Sequence, residues 1–206
     1  MSTLRGEDVE IHKIYFLFDF PNISRTWAGV RNHTVLYGLI DWDKFKKSLK
    51  QHAYDNYPGL IRCEFVVFIN RRTSRESRSR IKSLRKSGFQ VVVKRKETQE
   101  SDIDEDIVNF ADLAVRNPIT TAIYVLGNDL KNALLIASNI ITPECYNANA
   151  KFYHQNDLWL GVIPSAFTPN THLDRFPFNT QIIDLEKLPG VLERVEDKHE
   201  ITSHRK

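Results

Sequence analysis

The chain has 206 residues, of which 41% are hydrophobic and 27% are charged, and its formal net charge is +3. This is ordinary for one soluble α/β domain with a short appendage, and the total charge does not by itself indicate a nucleic-acid partner. No apolar run approaches the ~20 residues that cross a bilayer, and the polar first segment does not resemble a signal peptide, so we expect a cytoplasmic protein without membrane contact. Cys63 and Cys145 form no C-x-x-C pair, which argues against a structural zinc site.

Apolar runs alternate with amphipathic segments over residues 12 to 140. Runs typical of buried strands lie at 13–19, 62–69, 89–94 and 119–127, and segments with helical spacing lie at 41–53, 75–87, 103–116 and 129–139. Asp41 is a suitable N-cap for the first of these helices, and Gly88 ends the second. This alternation predicts a mostly parallel sheet with helices on both faces.

The chain beyond residue 140 is less regular. Its predicted elements are strand candidates at 151–155 and 158–164, a loop at 164–180 and an edge strand at 180–185. The highly charged end predicts a flexible tail. We therefore divide the chain into a core at 12–140, an extension at 141–192 that completes the fold, and a tail at 193–206.

Charge is sorted into two adjoining blocks. Residues 70–96 are almost purely basic, whereas residues 97–114 carry seven acids and neither Lys nor Arg. In an open parallel sheet, all strands end at one edge, and ligand sites form outside that edge. Asp19 ends the first predicted strand, Asp129 follows the fourth, and the acidic block follows the third. Three separate segments therefore bring carboxylates to one edge of the sheet.

Carboxylates that meet at one edge repel one another, and a divalent cation removes this repulsion. Mg²⁺ and Mn²⁺ prefer oxygen ligands, and an ion held by carboxylates can stabilise the charge that develops on a phosphodiester during its hydrolysis. The sequence shows no Ser/His/Asp or Cys/His triad, no histidine pair with ligand spacing and no glycine-rich phosphate loop. The carboxylates are therefore the main candidates for chemistry.

Three short motifs resemble those of NYN domains, a branch of the PIN-like ribonuclease fold. FDFPN at 18–22 resembles the D-x-x-N after the first strand, and EDIVNFADLA at 105–114 resembles the acidic start of a family helix. VLGNDLKNALL at 125–135 aligns without a gap with L-V-S-G-D-x-D-F-x-P-L. The resemblance covers residues 12–140 and implies a PIN-like, Rossmannoid three-layer α/β fold. It also implies a metal-dependent endoribonuclease, a hydrolase of phosphodiester bonds.

The resemblance assigns site roles to individual residues of this chain. These are the catalytic and metal-binding acids Asp19, Asp106 and Asp129, the supporting catalytic residue Asn22, and Asp104 and Asp112 as further candidate ligands of Mg²⁺ or Mn²⁺. The chain departs from the family where a second acid falls on Lys131, a serine on Gly127 and a glycine on Asn128. The loss of that acid would weaken metal binding or abolish catalysis.

The basic block predicts a surface for nucleic-acid phosphates, whose affinity would depend on salt and not on sequence. The candidate contacts are Arg71, Arg72, Arg75, Arg78 and Lys131, with Trp27, in a predicted loop after Asn22, as a residue that could stack on a base. RNA is favoured over DNA only because of the family resemblance.

Simpler interpretations remain open for each feature. Acids in the first turn of a helix are favoured by its dipole, Asp129 could cap a helix, Asp19 with Pro21 could form a turn, and a basic helix face is commonly just solvated. The first alternative function is an inactive PIN-like module that binds RNA or protein. The second is a nuclease effector or toxin that a partner protein holds inactive. A protein partner and a homo-oligomer are both left open.

Overall fold

The computed structural model describes residues 10–31, 41–71, 75–95, 103–127, 157–163 and 180–188. The described part contains six strands and four helices. In chain order these are β1 (Ile11–Asp19), α1 (Phe20–Arg31), α2 (Trp42–Asn56), β2 (Leu60–Arg71), α3 (Arg75–Lys86), β3 (Gln90–Arg95), α4 (Asp104–Val115), β4 (Thr120–Leu126), β5 (Asp157–Val162) and β6 (Thr180–Asp184). Within these ranges, no helix has the length and apolar character needed to cross a membrane.

The described strands form one parallel sheet in the order β3-β2-β1-β4-β5-β6. From β1, near the centre of the sheet, the strands follow outward to β3 and then continue from the other side of β1 with β4. The order therefore reverses between β1 and β4, and such a switch point is where ligands bind, at the carboxyl ends of the strands. The predicted α/β three-layer fold is confirmed, and residues 180–184 form the predicted edge strand β6. We call the side where all strands end the carboxyl edge.

Side chains of β1 alternate between two cores, one on each face of the sheet. Ile14, Phe16 and Phe18 pack under α2 and α3, whereas Tyr15 and Leu17 pack under α4. All five side chains are at most 9% exposed. Burial of each such side chain stabilises the fold by about 1.5–3 kcal/mol, so the apolar run of this strand fixes it at the centre of the sheet.

The predicted ends of two helices are confirmed. Asp41 caps α2 because its Oδ1 accepts hydrogen bonds from the backbone N–H groups of Asp43 and Lys44. Gly88 follows α3 with φ +77°, a conformation that glycine adopts at little cost.

The two charge blocks lie on opposite faces of the sheet. Ile81 and Leu84 of the basic helix α3 belong to the first core, whereas Ile107 and Ala111 of the acidic helix α4 belong to the second. Because α3 follows β2 and α4 follows β3, both helices begin at the carboxyl edge. The described parts of the two blocks therefore approach each other at that edge.

The segment after β1 is a helix, so the predicted loop around Trp27 is wrong. α1 begins at Phe20, directly after the last residue of β1. Oδ1 of Asp19 accepts a hydrogen bond of 3.0 Å from the backbone N–H of Asn22, the third residue of the helix, which is the geometry of an N-cap. Pro21 fits in the first turn because the N–H that it lacks would have no partner within the helix.

Several predictions fall outside the described residues. These are Asp129, Lys131 and Arg72, the helix at 129–139, the strand candidate at 151–155 and the tail at 193–206.

Candidate functional site

Asp19 is the central residue of the candidate site. It ends β1 at the switch point, and it follows Tyr15 and Leu17 on the face that α4 covers. The residue is only 5% exposed. A buried carboxylate is costly without compensation, and the hydrogen bond from Asn22 N–H compensates part of that cost. Asp19 therefore has an observed structural role as a cap, at a position where a ligand role is also expected.

Asn22 and Gly127 surround Asp19. Asn22 Oδ1 accepts a hydrogen bond of 3.3 Å from Thr26 Oγ1, one turn further along α1. Gly127 follows β4 with φ +154°, and its N–H donates to Gly161 O at 3.0 Å. A Cβ at position 127 would lie 3.2 Å from Asp19 Cβ and 3.6 Å from Asn22 Oδ1. Glycine thus lets the end of β4 pack directly against Asp19, two residues before Asp129.

Asn70 is a residue that the sequence analysis missed. It is the penultimate residue of β2 and follows Val66 and Phe68 on the face of α4. Its Oδ1 is buried, and within the described part of the chain no group donates a hydrogen bond to it. An unsatisfied buried acceptor costs about 1–3 kcal/mol. The only signal in the sequence is a polar residue directly after the apolar run FVVFI, at the same strand end as the candidate acids.

Asp106 and Lys94 form an ion pair close to Asn70. The Lys94 Nζ–Asp106 Oδ2 distance is 3.2 Å, and Lys94 is the register partner of Asn70 in the neighbouring strand. The pair connects β3 to the first turn of α4, where an acid is also favoured by the helix dipole. Asp104 is partly buried in the same turn. The structure thus brings the predicted acid Asp106 to the carboxyl edge, together with a cation.

Asp112 lies away from this group. It follows Asp106 by six residues, which is about 9 Å along the helix axis. Its Oδ2 pairs with Arg116, the residue directly after the helix. The geometry therefore gives Asp112 a cation partner nearer the opposite end of α4.

The oxygens at the carboxyl edge suit a hard cation. Among the residues that the structure describes, no three His, Cys, Asp or Glu side chains are grouped so that they could hold a metal ion. Mg²⁺, however, is commonly held by one or two carboxylates, with waters and substrate phosphates as the other ligands. Asp19 offers a carboxylate, and Asn70 on the adjacent strand offers a buried carbonyl oxygen without a donor. Both are oxygens, the type of ligand that Mg²⁺ and Mn²⁺ prefer.

Among the candidate nucleic-acid contacts in the described ranges, the structure describes the side chain of Arg78 alone. Arg78 is an exposed side chain on α3. Arg71 is the last residue of β2, Arg75 the first of α3, and Trp27 is in α1, and for these three residues only the backbone is described.

Comparisons of the chain with family models, with curated proteins and with solved structures return no match. The likeness to NYN domains therefore remains an interpretation of the three motifs.

Proposed function

We propose that this protein is a metal-dependent ribonuclease that hydrolyses phosphodiester bonds at the carboxyl edge of its sheet. The observation that carries the proposal is the position of Asp19. This residue is only 5% exposed, and it lies at the switch point of a parallel sheet. The packing of Gly127 against it supports the proposal, because Asp129 follows two residues later in the chain. A purely structural role for Asp19, as the cap of α1, would not require it to lie at the switch point.

Each residue of the proposed site has a task. Asp19, Asn70 and Asp129 would supply oxygens to Mg²⁺ or Mn²⁺. Such an ion, when bound, neutralises the negative charge that develops on the phosphodiester. The backbone N–H of Asn22 orients the Asp19 carboxylate, and Thr26 in turn fixes the Asn22 side chain.

Asp106 is a further candidate metal ligand, and Lys94, which pairs with it, would compete with the metal ion for its carboxylate. In the proposed nuclease, Asp106 would bind the metal ion and Lys94 would then contact a substrate phosphate. The same ion pair supports a second candidate function, a nucleic-acid or protein-binding module without turnover. In that case Lys94 neutralises one predicted metal-site acid, and Lys131 stands where the family motif has another.

The test is cleavage of a labelled single-stranded RNA in Mn²⁺, in Mg²⁺ and in EDTA, by the wild type and by Asp19→Asn. Asparagine is as good an N-cap as aspartate, so this change keeps the hydrogen bond to Asn22 N–H and removes the charge. Asp41→Asn is the matched control, because Asp41 caps α2 in the same way at an exposed position.

We expect the wild type to cleave only with metal and Asp19→Asn to be about 100-fold slower or worse, with Asp41→Asn unchanged. Calorimetric titration with Mn²⁺ gives a second readout, in which Asp19→Asn binds more weakly. RNA binding without cleavage in any metal would reject the nuclease and favour the binding module.

A further inference from the structure

Helices α2 and α3 are neighbours on the face of the sheet opposite α4. Lys46 of α2 donates a hydrogen bond from Nζ to the backbone O of Ser87, the residue after α3. The same Nζ lies 5.5 Å from the ring centre of Phe65 in β2 and 5.1 Å from that of Phe89 before β3. Lys50, one turn along α2, lies 5.7 Å from the Phe65 ring. Lysines of α2 therefore extend over the sheet towards α3.

Both helices carry an excess of positive charge. The α2 segment has four lysines and two aspartates, and the α3 segment has six Lys or Arg and one Glu, whereas α4 has four acids and no base. We call the exposed cations of the two helices the α2–α3 basic surface; they are Lys44, Lys47, Lys50, Arg78, Lys82, Arg85 and Lys86. The lysines of α2 did not stand out in the sequence, because residues 57–69 separate that helix from the basic block.

The positive charge of this surface is largely uncompensated. Within the described ranges, Lys47, Lys50, Lys82, Arg85 and Lys86 make no ion pair with an acid. Burial lowers the pKa of Lys46, Asp43 acts in the opposite direction, and the charge of Lys50 lowers that pKa further. Lys50 of this surface thus already repels the neighbouring Lys46, and an anion would relieve that repulsion.

The side chains of this surface fit a nucleic acid better than a protein. Protein interfaces are enriched in aromatic residues and depleted of Lys, whereas phosphate contacts need only cations. Among the described large apolar side chains that are exposed, only Tyr54 belongs to α2 or α3, and it lies near the end of α2 far from the carboxyl edge.

We propose that the α2–α3 basic surface binds the sugar-phosphate backbone of a nucleic-acid strand and guides it to the carboxyl edge, where both helices begin. The identification of the strand as RNA rests on the proposed function. The binding itself does not, since it needs no metal ion and no cleavage. The surface extends the predicted contacts from the start of α3 across to α2.

The test measures the affinity of a fluorescent single-stranded RNA in EDTA over a series of salt concentrations. One variant carries Lys47→Gln and Lys50→Gln on α2, and a second carries Lys82→Gln and Arg85→Gln on α3. The control carries Arg116→Gln and Lys187→Gln, which also remove two positive charges but from other parts of the molecule.

We expect each surface variant to bind about 10-fold more weakly and to lower the slope of log affinity against log salt by about 1.4, because each phosphate contact contributes ~0.7 for a single strand. The control keeps the wild-type slope. An unchanged slope in both surface variants would overturn the proposal, and so would an equal loss in the control. Displacement of the RNA by polyglutamate at matched charge would instead assign the surface to an acidic protein.

The two proposals fail in different ways. RNA that binds in EDTA with the expected slope but is never cleaved in Mn²⁺ rejects the nuclease and keeps the surface. Cleavage by the wild type, combined with unchanged binding by both surface variants, rejects the surface and keeps the nuclease.

Discussion

Lys94 and Asp106 meet at the carboxyl edge, with Nζ 3.2 Å from Oδ2. Lys94 belongs to the basic block and Asp106 to the acidic block, so this pair is where the two segments touch across the end of β3 and the start of α4. The side chains are 29% and 35% exposed, and a pair with that access to water stabilises a fold by only ~0–1 kcal/mol. The pair therefore matters more for the electrostatics of the edge than for stability.

Replacement of Lys94 by Gln tests this view. We expect the Mn²⁺ concentration for half-maximal cleavage to fall roughly threefold to tenfold, because an opposite charge no longer competes for Asp106. The free energy of unfolding in urea should change by less than about 1 kcal/mol. Arg116→Gln, which breaks the Asp112–Arg116 pair at the other end of α4, should leave the Mn²⁺ requirement unchanged. A higher Mn²⁺ requirement in Lys94→Gln would contradict competition at Asp106.

Replacement of Asn70 by Leu separates a ligand role from a structural role. Its buried Oδ1 lacks a donor among the described residues, so an apolar side chain of similar size should keep or raise the free energy of unfolding. Mn²⁺ affinity, measured by calorimetry, should nevertheless fall at least about tenfold if this oxygen is a ligand. Asn56→Leu is the control, since Asn56 is an exposed amide at the end of α2. A clear loss of stability in Asn70→Leu with unchanged Mn²⁺ affinity would show that Asn70 is structural.

Replacement of Gly127 by Ala tests the close packing around Asp19. The added Cβ would lie 3.2 Å from Asp19 Cβ, at a φ of +154° that side chains rarely adopt. We expect a loss of roughly 1–3 kcal/mol in unfolding free energy, and a larger loss of cleavage than the fraction of unfolded protein explains. Leu49→Ala is the control for stability alone, because Leu49 of α2 packs in the core away from the site. Its expected loss in unfolding free energy is about 2–5 kcal/mol. Full activity of Gly127→Ala would exclude a need for close packing there.

The sheet could be predicted because its signals are local. Continuous apolar runs such as IYFLF and FVVFI are typical of buried parallel strands. The cap of α2 could be predicted from Asp41 alone, because its side chain makes the capping hydrogen bonds. The start of α1 was not predicted, because Asp19 ends a strand and caps a helix without any loop between them. A strand and a helix that share one residue leave no turn residues to mark the boundary.

The missed parts of the site depend on tertiary contacts. An asparagine after a strand is typical of any turn, and only the folded structure shows that the Asn70 oxygen is buried without a donor among the described residues. The lysines of α2 likewise resemble an ordinary solvated helix face. Their link to the basic block becomes evident only from the hydrogen bond between Lys46 and Ser87, residues 41 positions apart.

The stability of the fold should depend on pH through His52. Its Nδ1 lies 3.1 Å from the hydroxyl of Tyr124, and its ring centre lies 4.6 Å from that of Trp159, nearly perpendicular to it. Burial lowers the pKa of His52 from its ordinary value of 6.5, and the charge of Asp55 only partly opposes this. The folded protein therefore binds this proton less readily than the unfolded chain does, so unfolding takes up a proton in weak acid.

The contribution of His52 to stability is full above its unfolded pKa and is lost as the pH falls through the lowered pKa of the folded state. We expect the urea midpoint of the wild type to fall between about pH 7.5 and about pH 5, and to fall less in His52→Gln, which does not titrate and can still bond to Tyr124. All other groups titrate in both proteins, so the difference between the two pH profiles isolates His52. Parallel profiles would mean that the imidazole is protonated as easily in the folded protein as in the unfolded chain.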